Sequence, residues 1–162
     1  MPATMIPTTI EDADGAADYT AARELMREYA AGLGVDLCFQ NFAAELADIA
    51  AMYAPPSGAL LLARSAQGPL GCVALRAHSS TVCEMKRLYV RPAARGQGLG
   101  QSLATAIVER ARRTGYRRMV LDTLEPMHAA RRVYAALGFR ECAPYYDNPL
   151  PGAIYLSLEL AS

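Results

Sequence analysis

Net charge is absent from this sequence. Sixteen basic and sixteen acidic residues cancel, which removes the general electrostatic attraction that a nucleic-acid binder needs. Metal-ligand spacing is missing as well: the four cysteines (Cys38, Cys72, Cys83 and Cys142) form no CxxC pair, and the two histidines, His78 and His128, stand fifty residues apart. No metal is therefore expected. Apolar runs are short, Ile49–Ala54 and Ala59–Ala63 being among the longest, against the ~18 residues of a membrane helix. No membrane partner is expected either. The opening MPATMIPTTIEDADG is acidic and lacks the basic-then-apolar order of a secretory signal. With cysteines that read as reduced core thiols, this leads us to expect a cytoplasmic protein.

What is present describes a globular chain. The 162 residues are 52% apolar and 20% charged, enough for one domain with a real core. No linker or repeat divides them, so residues 1–162 are expected to form a single domain. The charges are unevenly placed: residues 1–81 hold nine acids and four bases, whereas 86–140 hold twelve bases and three acids. A local anionic ligand in the second half fits that asymmetry.

Periodicity predicts a short strand within 5–10 and a helix over Ala16–Leu33, ended by Gly32 and Gly34. A second helix is predicted over Phe42–Tyr53, with Asn41 as its cap and Pro55-Pro56 as its stop. Strands follow at Ala59–Arg64, Leu70–His78 and Val82–Val90. Gly98–Thr114 is a strong helix with Leu99, Leu103, Ala106, Ile107 and Ala111 on one stripe. Arg118–Thr123 is a buried strand, Pro126–Leu137 a helix, and Phe139–Ala143 and Ala153–Leu160 the last strands. Interleaved helices and meander strands imply an α/β (α+β) fold with a mixed sheet.

The segment Arg91-Pro92-Ala93-Ala94-Arg95-Gly96-Gln97-Gly98-Leu99-Gly100 lies between a strand and a helix. Its glycines let the backbone approach a ligand, and the helix that follows offers unpaired N–H groups to a phosphate, with Arg95 adding charge at the rim. A Walker A loop is excluded because no lysine follows at the required spacing. A Rossmann fingerprint is excluded because the pattern is GxGxG, with Gln101 in place of the third glycine. Asp122 is suitably distant for a ribose contact, but the path from Val90 to Gly100 is too long for the Rossmann turn.

The run Leu88-Tyr89-Val90-Arg91-Pro92 through Arg95-Gly96-Gln97-Gly98-Leu99-Gly100 resembles the acyl-CoA loop of the GNAT superfamily of N-acetyltransferases. A second match follows: Ala130, then Val133-Tyr134-Ala135-Ala136-Leu137-Gly138-Phe139, is similar to the family's A-x-x-x-Y-x-x-x-G-F helix. The joint match covers about 82–140. The stretch Tyr145–Asn148 and beyond resembles one bacterial subgroup of the family.

The resemblance implies a mostly antiparallel sheet of six to seven strands, flanked by about four helices, whose fourth and fifth strands splay apart. It implies acetyl-CoA as co-substrate, its pantetheine arm pairing with the backbone around Leu88, Tyr89 and Val90. The pyrophosphate would rest on the amides of Arg95, Gly96, Gln97, Gly98, Leu99 and Gly100. The reaction implied is direct acetyl transfer to a primary amine in a ternary complex, with the oxyanion met by the Val90 N–H. The favoured acceptor is a small molecule; a peptide lysine or α-amino terminus is the alternative, and a non-catalytic acyl-CoA-binding module the other. A homodimer is compatible with the resemblance.

Two proton transfers are needed, one from the amine and one to the leaving thiolate. Tyr134 matches the family's general acid, set against a core tyrosine on the stripe of Ala130, Val133 and Leu137. Glu84 matches a general base of some members, set against a salt bridge to Lys86 or Arg87. Strand alternation would put Glu84, Lys86, Leu88 and Val90 on one face. Many relatives carry Asn where this chain has Met127, which points to His128 as a substitute cofactor contact. Tyr29, Phe39, Phe42, Tyr145, Tyr146 and Asn148 are candidates for the acceptor pocket by family order. Nothing in the spacing supports Cys83 or Cys142 as a nucleophile with His128.

Overall fold

The computed structural model describes residues 7–34, 37 and 41–160; Cys38, Phe39 and the start of the strand expected at 5–10 lie outside them. Seven strands form one sheet in the order β1-β2-β3-β4-β5-β7-β6. They are β1 (Thr9–Asp12), β2 (Ala59–Ser65), β3 (Gly68–Ala77), β4 (Val82–Val90), β5 (Arg118–Leu124), β6 (Arg140–Glu141) and β7 (Ala153–Glu159). Only β4 and β5 pair in parallel; the other neighbours are antiparallel. This is the expected mixed sheet.

Helices cover both faces. On one side lie α1 (Gly15–Leu33) and the short α2 (Phe42–Ala47) and α3 (Ile49–Met52); on the other lie α4 (Leu99–Thr114) and α5 (His128–Leu137). Each face has its own core. Ala22, Leu25 and Met26 of α1 meet Ile49, Tyr53, Leu60, Leu62, Cys72 and Ala74. Leu103, Ile107 and Ala111 of α4 meet Val73, Leu75, Met85, Met119 and Leu121. Alternate residues of β2 and β3 therefore serve opposite cores, which explains why these strands read as continuous apolar runs.

The helix expected over 42–53 is broken. Asp48 leaves helical geometry at φ −134°, yet Glu45, Ile49 and Tyr53 all remain buried. Spacing alone detects that shared inward side and not the break. Asn41 does stand at the N-cap, but in the left-handed region and with no side-chain cap bond. Cys72 and Cys83 are buried, and burial pushes both thiols up to about 12. Cys142, expected as a core thiol, is only half-buried, because the strand expected at 139–143 is the two-residue edge strand β6.

Two local features shape the site. First, β4 and β5 pair over three positions only, from Val82↔Arg118 to Glu84↔Val120, and the remaining residues of both strands diverge. β5 stays paired with β7 along its whole length, so the gap opens beside β4. Second, Ala74 pairs with Lys86 while Cys72 pairs with Tyr89, so Val73 alone opposes both Arg87 and Leu88. Arg87 is the extra residue of this bulge and sits at φ 60°. A bulge of one residue reverses the faces beyond it. Leu88 and Val90 consequently pack on the α4 side with Cys83 and Met85. Glu84 faces the other way, toward Arg76 and Tyr145. The single face expected for Glu84, Lys86, Leu88 and Val90 is thus corrected: simple alternation cannot cross a bulge.

Candidate active site

The loop between β4 and α4 holds its shape through glycine. Gly96 (φ 82°) and Gly98 (φ 77°) both occupy the left-handed region, which L side chains enter at a cost. Space is not the constraint, since a Cβ at either position would meet nothing within 4 Å. Gly98 is the N-cap of α4 and supplies no side-chain cap, so the first N–H groups of a sixteen-residue helix are left for an anion.

The edge of β4 supplies backbone groups. Arg91 N–H donates to Leu70 O of β3. Because peptide groups alternate sides along a strand, those of Leu88 and Val90 turn the other way, into the gap. Arg95 folds back onto this edge: its Nε donates to Val90 O at 2.9 Å, and its guanidinium lies 5.8 Å over the Tyr89 ring.

Tyr134 enters the gap from α5. It is 6% exposed, packs edge-on against Phe139 at 5.8 Å, and lines a small cavity of about 40 Å³ between β4 and β5. Burial raises its phenol above the ordinary 10.0, helped by the charge of Tyr29 and Asp122. Among the described residues no group hydrogen-bonds its hydroxyl. The oxygen is not among the buried unpaired atoms, so it reaches the open space of the gap.

Glu84 is 2% exposed and accepts from Arg76 Nε at 2.9 Å and from the Tyr145 hydroxyl at 2.7 Å. Its ion pair is with Arg76, not with Lys86 or Arg87, because Arg76 is its register partner on β3. Arg87 pairs elsewhere, with Glu45.

Across the gap, Asp122 of β5 accepts from the Tyr146 hydroxyl, from Asn148 Nδ2 at 2.8 Å and from the Tyr145 hydroxyl at 3.5 Å. Tyr145, Tyr146 and Tyr155 stack pairwise at 5.3 to 5.9 Å, and His78 packs on Tyr145 at 5.3 Å. The segment before β7 thereby carries two tyrosines and an asparagine to one spot. Burial drives the Tyr145 phenol strongly upward, with Glu84 and Asp122 adding to the effect.

Of the residues expected from sequence, the gap brings together Tyr134, Leu88, Tyr29 and Asn148, with Glu84 next to it through Tyr145. Phe42 sits below, 5.1 Å from the Arg87 guanidinium. His128 is exposed on the first turn of α5, while Met127 lines the cavity and accepts from Thr123 Oγ1 at 3.6 Å. Sequence reasoning missed Asp122 as a site residue, whereas Lys86, expected on the cleft face with Glu84, does line the cavity. The signal for Asp122 was a lone acid at the end of an apolar strand, which needs donors wherever it is buried.

Comparisons with known proteins point to one family. The model of the acetyltransferase (GNAT) family matches residues 20–139. An uncharacterized N-acetyltransferase of Schizosaccharomyces pombe is 45% identical over 139 residues, covering 85% of this chain and 85% of that protein. N-acetylaspartate synthetase of Danio rerio is 32% identical over 71% of this chain, which spans 42% of that protein. A solved structure of yncA from Salmonella typhimurium, with its cofactor acetyl-CoA, superposes with a TM-score of 0.71 at 23% identity, covering 96% of this chain and 95% of that one. It shares the fold.

Proposed function

The chain belongs to the GNAT family of acetyltransferases, and on that premise we propose that it transfers acetyl from acetyl-CoA to the primary amine of a small molecule by direct attack. The carrying observation is Tyr134, whose unpartnered hydroxyl opens into the gap between splayed strands. The remaining groups fit the co-substrate: an uncapped α4 N-terminus behind left-handed glycines suits a pyrophosphate, and the free edge of β4 suits an amide-bearing arm. Acetyl-CoA supplies an acetyl thioester.

The residues of the chain handle the protons. The amine forms a C–N bond to the acetyl carbon as the C–S bond breaks, and the Tyr134 hydroxyl gives its proton to the departing sulfur. Burial keeps that hydroxyl protonated through neutral pH. On the acceptor side, the amine proton passes to the Tyr145 oxygen while Tyr145 gives its own to Glu84, along the 2.7 Å hydrogen bond. Backbone N–H groups of β4 that point into the gap meet the negative charge on the carbonyl oxygen. Holding both substrates side by side supplies the orientation.

A small acceptor is favoured over a peptide by the modest cavity and by the N-acetylaspartate synthetases, which are named for a small acetylated product. Thiol release from acetyl-CoA, followed across small amines and lysine or α-amino peptides, tests the reading. Turnover confined to small amines is expected; turnover confined to peptides would move the acceptor class, and thiol release with neither would remove the activity.

A further inference from the structure

Lys86 is the sole lysine of the sequence, and it stands half-buried on the β4 wall of the cavity. The carboxylates whose charge acts on it, Glu84 and Glu45, are each taken by an arginine: Glu84 by Arg76 at 2.9 Å and Glu45 by Arg87 at 2.8 Å. Among the described residues no ion pair or hydrogen bond holds the Lys86 ammonium. A half-buried cation without a partner is costly. Burial, and then the neighbouring Arg87 charge, push its pKa below the ordinary 10.5. An anion arriving in the cavity would relieve that cost.

The opposite wall carries the complementary sign. Asp122 lines the same cavity from β5, with its carboxylate fixed by Tyr146 and Asn148 and next to the Tyr145 hydroxyl. Arg87, the other cation in the lining, is neutralised by Glu45. Alternation puts Lys86 with Glu84 on the face opposite the α4 core, and the bulge at Arg87 keeps that face distinct from Leu88 and Val90, which pack on the α4 core. One lysine and one aspartate thus line the same small space from two strands.

Resting on the acetyltransferase reading above, we infer that the acceptor is a small amino acid, its carboxylate held by Lys86 and its amine set beside Asp122 and Tyr145. The amine then lies where the Tyr145–Glu84 hydrogen bond can take its proton. A neutral or purely cationic amine would leave Lys86 unpaired and bring no compensation for it.

The test compares acids with their α-amides in two readouts. Thiol release from acetyl-CoA is followed with L-alanine against L-alaninamide and L-serine against L-serinamide, for wild type and Lys86→Met. Binding of the same four compounds is measured by calorimetry with CoA present, and circular dichroism confirms that the variant is folded. Wild type is expected to prefer one acid over its amide by at least tenfold in kcat/KM, and Lys86→Met to lose that preference through KM while keeping its affinity for acetyl-CoA. Lys86-dependent binding of an acid without thiol release would support the carboxylate site and overturn the acetyl-transfer reading instead. Equal use or equal binding of acid and amide by wild type, or a preference that survives in Lys86→Met, would overturn the inference while leaving acetyl transfer standing.

Discussion

Arg87 and Glu45 form a buried bidentate ion pair beneath the site, with contacts of 2.9 and 2.8 Å and exposures of 5% and 1%. Tyr53 donates a further bond to Glu45 at 2.9 Å, and the guanidinium lies against Tyr29 and Phe42. The pair ties the bulge of β4 to α2. Removing one partner leaves an uncompensated buried charge, so Arg87→Ala should destabilise the fold by about 3–5 kcal/mol. Urea unfolding monitored by circular dichroism checks this; a loss below about 1 kcal/mol would mean the surroundings rehydrate the carboxylate.

The same pair sets a pH dependence. Burial opposes the Glu45 carboxylate, yet Arg87, with Lys86 and Tyr53, outweighs it and holds the pKa below the ordinary 4.5. A lowered folded-state pKa gives stability that is present above the unfolded value and lost as pH falls through the folded one. Wild type should therefore lose stability as pH drops below about 4.5, and Glu45→Gln should show a flatter acidic branch from a lower plateau. Thermal melts between pH 3 and 7 measure both curves.

The glycine loop gives a prediction about backbone rather than space. Because Gly98 sits at φ 77° with open surroundings, valine there strains the chain by roughly 1–2 kcal/mol, the cost of left-handed backbone for an L residue. The loop relaxes away from that geometry and the uncapped helix end turns from its ligand. Calorimetry should find weakened CoA affinity in a folded Gly98→Val protein, and unchanged affinity would remove the loop from the binding site.

Tyr145→Phe separates the relay from the packing. The aromatic cluster with Tyr146, Tyr155 and His78 keeps its rings, while the 2.7 Å bond to Glu84 is lost. The rate should fall mainly on the acidic limb of the pH profile, where the amine most needs a base. Glu84→Gln should act in the same direction. An unaltered acidic limb in both variants would leave Glu84 as the structural partner of Arg76.

Much of this arrangement was legible from sequence because it is local. The strand at 82–90, the helix after Gly98 and the left-handed stops at Gly34, Gly115 and Gly138 follow from periodicity and turn chemistry. Long-range pairing was not legible. The Arg87 bulge depends on β3 lying opposite, the choice of Arg76 for Glu84 depends on register, and the tyrosines that reach Asp122 come from more than twenty residues away. Lys86, one of the salt-bridge partners expected for Glu84, is left without it because the register gives Glu84 to Arg76.

The central claim is that Tyr134 protonates the leaving thiolate, and Tyr134→Phe tests it most directly. The substitution removes one hydroxyl and leaves the contact with Phe139 and the helix stripe nearly unchanged. With its phenol raised above 10.0 by burial, wild type should show no alkaline decline from this group below that pH. The variant should lose about 10²–10⁴-fold in kcat with an unaltered dissociation constant for acetyl-CoA, and an acyl donor with a more acidic thiol should recover part of the loss. Turnover within about threefold of wild type, far below the general-acid range, would contradict the assignment and return Tyr134 to the core.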